Sequence, residues 1–344
     1  APAAPHRPGG ADFERRLRAA LDAVAEGAYP DELLASWAGR EARALGEERR
    51  RLQDPQLAPA PPHLPPQVRA AAVYALQQVV QPLRLSSELG AEAASLFDMY
   101  FNRRSGDKCC SPDAMVAAVP HAFASICRII CKFERACTRH QDVATAAEAA
   151  NWLTSCLVAD GYGAHGREAA LDDAASVGEV DMLQALEWQR APPAAETWLA
   201  AFCARIDCTT RGLFTPQLDW IAEVGGPVGQ VALQRSSVYE LPPRRLALGL
   251  LAHGLVATGM LPIGEARAAE LIDAEGWEQL FGRNLWGPAR ACMVPQSYRP
   301  CLAKLLELST RAEMQDMRRA AYDVAVACLS QPWEEKFPAS LAGA

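Results

Sequence analysis

The chain has no C-x-x-C pair, no β-branched run bounded by Asn-Gly or Asp-Gly, no excess of positive charge and no uninterrupted apolar stretch of bilayer length. Each absence excludes something. Its 11 cysteines over 344 residues are odd in number and stand without histidines at zinc-ligand spacing, which speaks for reduced thiols in the cytosol or nucleus and against a disulfide framework or a zinc site. With 41 acidic and 34 basic side chains and a net charge of −7, the composition disfavours phosphate neutralisation on nucleic acid and docking on an anionic membrane. The best apolar run, Leu246 to Leu261, contains His253 and Thr258 and is closed by Pro262, so it reads as a buried helix. Ala1 to Gly10 is proline-rich without a hydrophobic signal core, and nothing there indicates secretion.

What is present is helical periodicity. Apolar content of 50% can fill one large core or two small ones. Asp12 to Glu26 and Asp31 to Leu52 are Ala-, Glu- and Arg-rich with apolar residues three and four apart (Phe13, Leu17, Leu21, Val24), which predicts surface helices. The proline-rich stretch Ala58 to Pro66 marks a boundary, because each ring fixes φ and removes a donor. From Gln67 onward the stripes follow one another: Val68, Ala72, Leu76, Val79 and Val80; Leu89, Ala93, Leu96, Phe97, Tyr100 and Phe101; Phe123, Ile126, Cys127, Ile130 and Phe133. The third is apolar almost all round and is expected in the middle of a bundle. Ala146 to Leu157 follows, then a glycine-rich loop from Asp160 to Gly166, then a helix carrying Val180, Leu183, Leu186 and Trp188 and ended by Pro192 and Pro193. The second half repeats the plan with Thr197 to Ile206, Gln217 to Val224, Val228 to Tyr239, Pro243 to Gly259, a region around Trp277 to Trp286, and Tyr298 to Leu308. The expected fold class is all-α, in two tandem five-helix domains preceded by N-terminal helices. The expected boundaries are 1–66 for the helices and linker, 67–191 and 192–330 for the two domains, and 331–344 for a tail.

Several residue sets admit a chemical reading beside a plainer one. Gly161, Gly163 and Gly166 spell G-x-G-x-x-G, a dinucleotide fingerprint that requires a preceding strand and a βαβ unit, whereas the neighbours here are helical. Cys127 and Cys131 lie one helical turn apart and Cys109 adjoins Cys110; they read as buried apolar thiols, with a catalytic cysteine paired to His121 or His140 left as the alternative. His253 in an apolar helix reads as a satisfied core residue. Trp188, Trp220 and Trp286 fit core packing better than base stacking. No metal site and no cofactor is expected.

The segment QVRAAAVYALQQVVQPLRLSSELGAEAASLFDMYFNRR resembles the opening of the cyclin box, with Arg69 and Asp98 on the family's arginine and aspartate. A lone ionic side chain on each of two apolar helices is costly to bury alone and tolerable as a pair, so the two are expected to form a structural buried ion pair. CKFERA is similar to the cyclin segment A-K-[YF]-E-E, and EVDMLQALEWQRAPP to the fifth cyclin helix, through Glu179, Leu183, Leu186, Trp188, Pro192 and Pro193. LPPRRLALGLLAHGL, RPCLAKLLEL and RRAAY resemble, more loosely, parts of the second cyclin fold. The resemblance spans Val68 to Tyr322 by motif order.

What the resemblance implies is a non-catalytic regulatory subunit in a heterodimer with a cyclin-dependent kinase, nuclear or cytoplasmic, with no nucleic-acid or membrane partner. Lys132, Phe133, Glu179 and Leu183 take the family's kinase-binding positions, Lys132 and Glu179 together at an exposed rim. The chain also departs from the family. Val68, Ala71, Ala72 and Ala75 replace the larger side chains of a groove for R-x-L substrate peptides, so that docking function is not expected. Arg135 replaces the second glutamate of K-F-E-E, and His121 follows Pro120 where a leucine is usual, so either the third helix starts late with Pro120 in its first turn or the core is locally altered. Arg18 to Leu21 and Arg49 to Leu52 match a degenerate R-x-x-L degradation pattern expected by chance, and an L-x-C-x-E motif is absent. The alternatives are a cyclin-fold scaffold without kinase activation, a nucleotide-binding enzyme built on the Gly161 to Gly166 loop, and, disfavoured by charge, a cyclin fold on DNA.

Overall fold

The computed structural model describes residues 11–25, 32–53, 64–105, 111–135, 138–162, 171–261, 294 and 298–329, and every regular element among them is an α-helix. The protein is all-α. Cys109, Cys110, Gly163, Gly166, the region Trp277 to Trp286 and the tail 331–344 lie outside the described residues. The chain divides into two compact units, one of 1–38, 195–232 and 241–330, the other of 39–194, 233–240 and 331–344.

The second of these units holds α3 (Pro66–Val79), α4 (Ser87–Ser105), α5 (Pro112–Arg135), α6 (His140–Ala159) and α7 (Leu171–Ala185), following α1 (Ala11–Ala25) and α2 (Glu32–Gln53) in the chain. Proline at the first helical position starts α3, where its missing N–H would have been unpaired in any case. α5 packs against α3, α4, α6 and α7, and Phe123, Ile126, Cys127 and Ile130 on it are fully buried. Its start corrects a sequence expectation. The helix begins at Pro112, and Pro120 sits inside it, tolerated at the loss of one backbone hydrogen bond because the surrounding helices hold the remainder. Joined across Pro120, α5 has the length and composition of a membrane span, with a mean hydropathy of 1.7 over its best window. Reading the sequence as broken at that proline concealed this. Here its apolar surface is spent on four neighbouring helices.

The other unit holds α8 (Ala195–Thr209), α9 (Thr215–Arg235) as far as Ala232, α10 (Pro243–Ala257), α11 (Arg299–Thr310) and α12 (Met314–Leu329), joined by α1. The two helices expected over 217–224 and 228–239 are one, α9, with Pro227 within it. α10 is the core helix, packed on α8 and α12, and its glycines permit the approach. A Cβ on Gly249 would lie 2.4 Å from the Ala320 carbonyl oxygen, and one on Gly254 would meet Ile221 at 2.6 Å. His253 is buried beside them, its Nε2 2.8 Å from the Ala321 carbonyl oxygen, and burial pulls its pKa from 6.5 down to about 4. The imidazole is therefore neutral and donates to that carbonyl.

Thiols follow the same logic. Cys127, Cys131, Cys203 and Cys328 are buried and free. Burial pushes Cys127 well above the ordinary thiol range, Cys131 up to about 11, and Cys203 and Cys328 up to about 12. They behave as small apolar groups.

Two outcomes are expected. Because the folded pKa of His253 is depressed, the unfolded chain binds the extra proton between pH 6.5 and 4, so its contribution, present above 6.5, is lost on acidification by an amount on the order of 3 kcal/mol. Urea unfolding across that range should show the decline, and His253→Gln should flatten it. Gly249→Ala forces a methyl into backbone that cannot yield, and is expected to lower unfolding free energy by about 1 to 3 kcal/mol.

Candidate functional site

Two ionic clusters organise the unit built around α5. In the first, Arg69 on α3 grips Asp98 on α4 with two bonds, Nε to Oδ1 at 2.7 Å and Nη2 to Oδ2 at 2.8 Å. The guanidinium also donates to the carbonyls of Gln234 at 3.2 Å and Ser236 at 3.0 Å, while Asp98 accepts the Val238 amide at 2.9 Å. Gln234 donates in addition to Gln77 at 2.9 Å. The pair thus fixes the register of α3 on α4 and pins the segment 233–240 to both.

The second cluster lies between α5 and α7. Gly178 allows the approach, since a Cβ there would be 2.9 Å from Ser125 Oγ. The next residue, Glu179, then lies over α5. One of its carboxylate oxygens forms an ion pair with Arg128 Nε at 2.7 Å, off the hydrogen-bonding direction, and the other accepts a hydrogen bond from the Lys132 ammonium. Arg128 and Lys132 stand one turn apart on the same face of α5, the spacing at which both reach one carboxylate. Their exposure differs sharply: the Glu179 side chain is 6% exposed and that of Lys132 46%. The sequence expectation of two charges sharing an exposed rim is corrected here. The anion is buried beneath its two cations, of which the lysine is much the more open to solvent, Arg128 being 16% exposed. Burying Glu179 with neither partner would leave a desolvated charge.

Apolar side chains extend this edge. Phe133 is half-buried, with the Arg190 guanidinium 4.8 Å above its ring; Arg190 in turn lies 4.0 Å from Glu92. Burial raises the Glu92 carboxyl above its usual value despite the nearby Arg190 and Arg40. Leu183 is half-buried, while Val180 is 47% and Trp188 65% exposed, so Trp188 is not the core residue expected from its place in the stripe. The cause is the end of α7. The Trp188 amide bonds back to the Leu183 carbonyl at 2.8 Å and the Glu187 amide to Gln184 at 2.9 Å, a Schellman closure. It places Glu187 and Trp188 at φ 53° and 59°, a left-handed conformation that costs non-glycine residues roughly 1 to 2 kcal/mol each. The reversal turns Trp188 out of the helical stripe. Arg103 on α4 braces the end, donating to the Ala185 carbonyl at 2.9 Å and to Gln189 Oε1 at 3.1 Å.

Other singled-out positions resolve plainly. Val68, Ala71, Ala72 and Ala75 are fully buried and offer no surface groove. Arg135 is an internal clamp: one nitrogen bonds both Asp142 oxygens at 2.9 Å, and the other reaches the carbonyls of Leu83 and Arg84. Gly161, at φ 83°, forms the Schellman end of α6, with its amide on Val158 and that of Tyr162 on Leu157. Helix precedes it where a dinucleotide fingerprint requires a strand. Among the described residues no group of His, Cys, Asp and Glu is arranged to hold a metal ion.

Arg128 went unnoticed in the sequence, although its position four residues before Lys132 on an amphipathic helix was the available signal. Nothing in the sequence marked the Val238 amide. Family models, curated proteins and solved structures yield no match to this chain.

The unequal partnership at Glu179 predicts unequal substitutions. Lys132→Ala leaves the carboxylate paired with Arg128 and is expected to cost less than about 1 kcal/mol, whereas Glu179→Gln strands two cations and should cost about 2 to 4 kcal/mol. Asp98→Asn, which leaves Arg69 buried and uncompensated, is expected to cost about 3 to 5 kcal/mol. Denaturant midpoints of the three variants measure the order.

Proposed function

We propose that the unit containing α5 is a cyclin box and that the protein is a regulatory subunit that binds and activates a cyclin-dependent protein kinase, with the other unit as a second cyclin-like fold. The observation that carries this reading is Lys132. It is anchored from beneath by Glu179 and half exposed, beside Phe133 on α5 and an edge of α7 bearing Val180, Leu183 and Trp188. Packing of α5 against the four helices of its own unit and the Arg69–Asp98 pair support it further.

In this mechanism the ammonium donates to backbone carbonyls at one end of the kinase's regulatory helix. The apolar edge supplies burial around that bond. Glu179 is a positioning residue that aims Lys132 while Arg128 holds the carboxylate. The docked regulatory helix turns inward, and its own glutamate pairs with the lysine that positions ATP. The protein thereby biases a two-state element of its partner and contributes no catalytic group. Its site of action follows the kinase, in nucleus or cytoplasm.

A second reading, a cyclin-fold scaffold without kinase activation, is favoured by the buried Val68, Ala71, Ala72 and Ala75 and by the internal use of Arg135. Histone phosphorylation by candidate cyclin-dependent kinases mixed with the full chain separates the two. Stimulation is expected, and Lys132→Ala and Trp188→Ala are each expected to reduce it by about tenfold or more, the loss typical of a central interface residue. Val158→Ala, an exposed position on α6, should leave it unchanged. A pull-down that recovers other proteins but no kinase favours the scaffold, and a stoichiometric kinase removes it; stimulation indifferent to Lys132 and Trp188 removes the proposed surface.

A further inference from the structure

A cavity of about 550 Å³ opens beside the Arg69–Asp98 pair, away from the Lys132 edge in sequence and in the residues that form it. Its walls come from the start of α3 (Pro65, Pro66), the later turns of α4 (Phe97, Phe101), Met115 on α5 and Tyr239. The volume lies within the range of organic-ligand sites, which are mostly apolar with a few directed polar groups.

The polar groups here are not equivalent. Arg69 and Asp98 are engaged mainly by one another and by the segment 233–240. Glu240 is exposed, and its carboxylate accepts the Ser237 amide at 2.9 Å. Arg235, in the last turn of α9, lines the same cavity, is only partly buried, and its side chain has no hydrogen-bond or ion-pair partner among the described residues. A guanidinium with no partner at the edge of an apolar cavity is open to an anion that meets its terminal nitrogens. Apolar walls and one such cation specify a body and a head.

We infer that this cavity is a binding site for a small organic anion, an aromatic or branched apolar body bearing a carboxylate, with the carboxylate on Arg235 and the body between Pro66, Phe101 and Tyr239. The site belongs to the unit around α5 and does not depend on kinase binding.

2-Naphthylacetate serves as the probe, with 2-naphthylethanol and 2-naphthylethylamine as neutral and cationic counterparts, and ligand-observed NMR titration of the full chain reads the affinities. The acid is expected to bind about tenfold more tightly than the alcohol, the worth of one charge-assisted bond, and the amine more weakly still. Arg235→Gln, with its fold checked by circular dichroism and thermal midpoint, should bring acid and alcohol to equal affinity. Ser237→Phe, which places a ring in the cavity without altering charge, should abolish binding of both. Equal binding of the three compounds to the native chain, an acid preference that survives Arg235→Gln, or affinity untouched by Ser237→Phe would each overturn the assignment.

Discussion

A carboxylate withdrawn from water must be met on every side, and Glu179 is met by two cations from a single face of α5. That requirement sets the spacing of α5 and α7, favours a small residue at position 178 and lifts one ammonium toward solvent while holding it by its charge. Coulomb attraction at such separations strengthens as water is excluded, so the buried half of the cluster is what makes the exposed half directional. The same economy governs Arg69 and Asp98, where the surplus donors and acceptors of one ion pair organise a segment far along the chain. Both clusters use charge for register, leaving cohesion to the apolar residues around them.

Helix ends do comparable work. α6 and α7 both finish in Schellman closures, one through Gly161 and the other through Glu187. Glycine takes the left-handed conformation freely and glutamate does not. The difference separates an ordinary stop from one that delivers a large aromatic to solvent. Arg135 illustrates the opposite trend: a residue that departs from the pattern of the family it resembles is bound inward, to Asp142 and to the corner after α3.

How much of this could be read from the chain follows from the range of each interaction. The all-α class and the central position of α5 were legible because periodicity and a largely apolar surface are local properties. The suggestion that Arg69 and Asp98 pair came with the resemblance to the cyclin box and with the cost of burying either alone, and they stand 2.7 Å apart. The prolines misled: Pro120 and Pro227 suggested interruptions, yet each lies within a continuous helix whose packing offsets the lost hydrogen bond. Trp188 misled as well, because its spacing belongs to a helix that ends at Ala185. The burial of Glu179 depended on Arg128, and the anchoring of Asp98 on an amide with no side-chain signature. Contacts of that kind arise from tertiary geometry and leave no periodic trace.

The backbone reversal at Glu187 and Trp188 also changes what it means for the indole to meet another molecule. A side chain on an ordinary exposed helix samples several orientations and loses that freedom on contact. Here the direction of the Cα–Cβ bond is written into main-chain torsions that Arg103 and two amide bonds hold in place, so the backbone share of the ordering happens as the chain folds. What is left for a visitor to freeze is rotation of the indole about its own two side-chain bonds, and moving the whole side chain aside requires unwinding the last turn of α7.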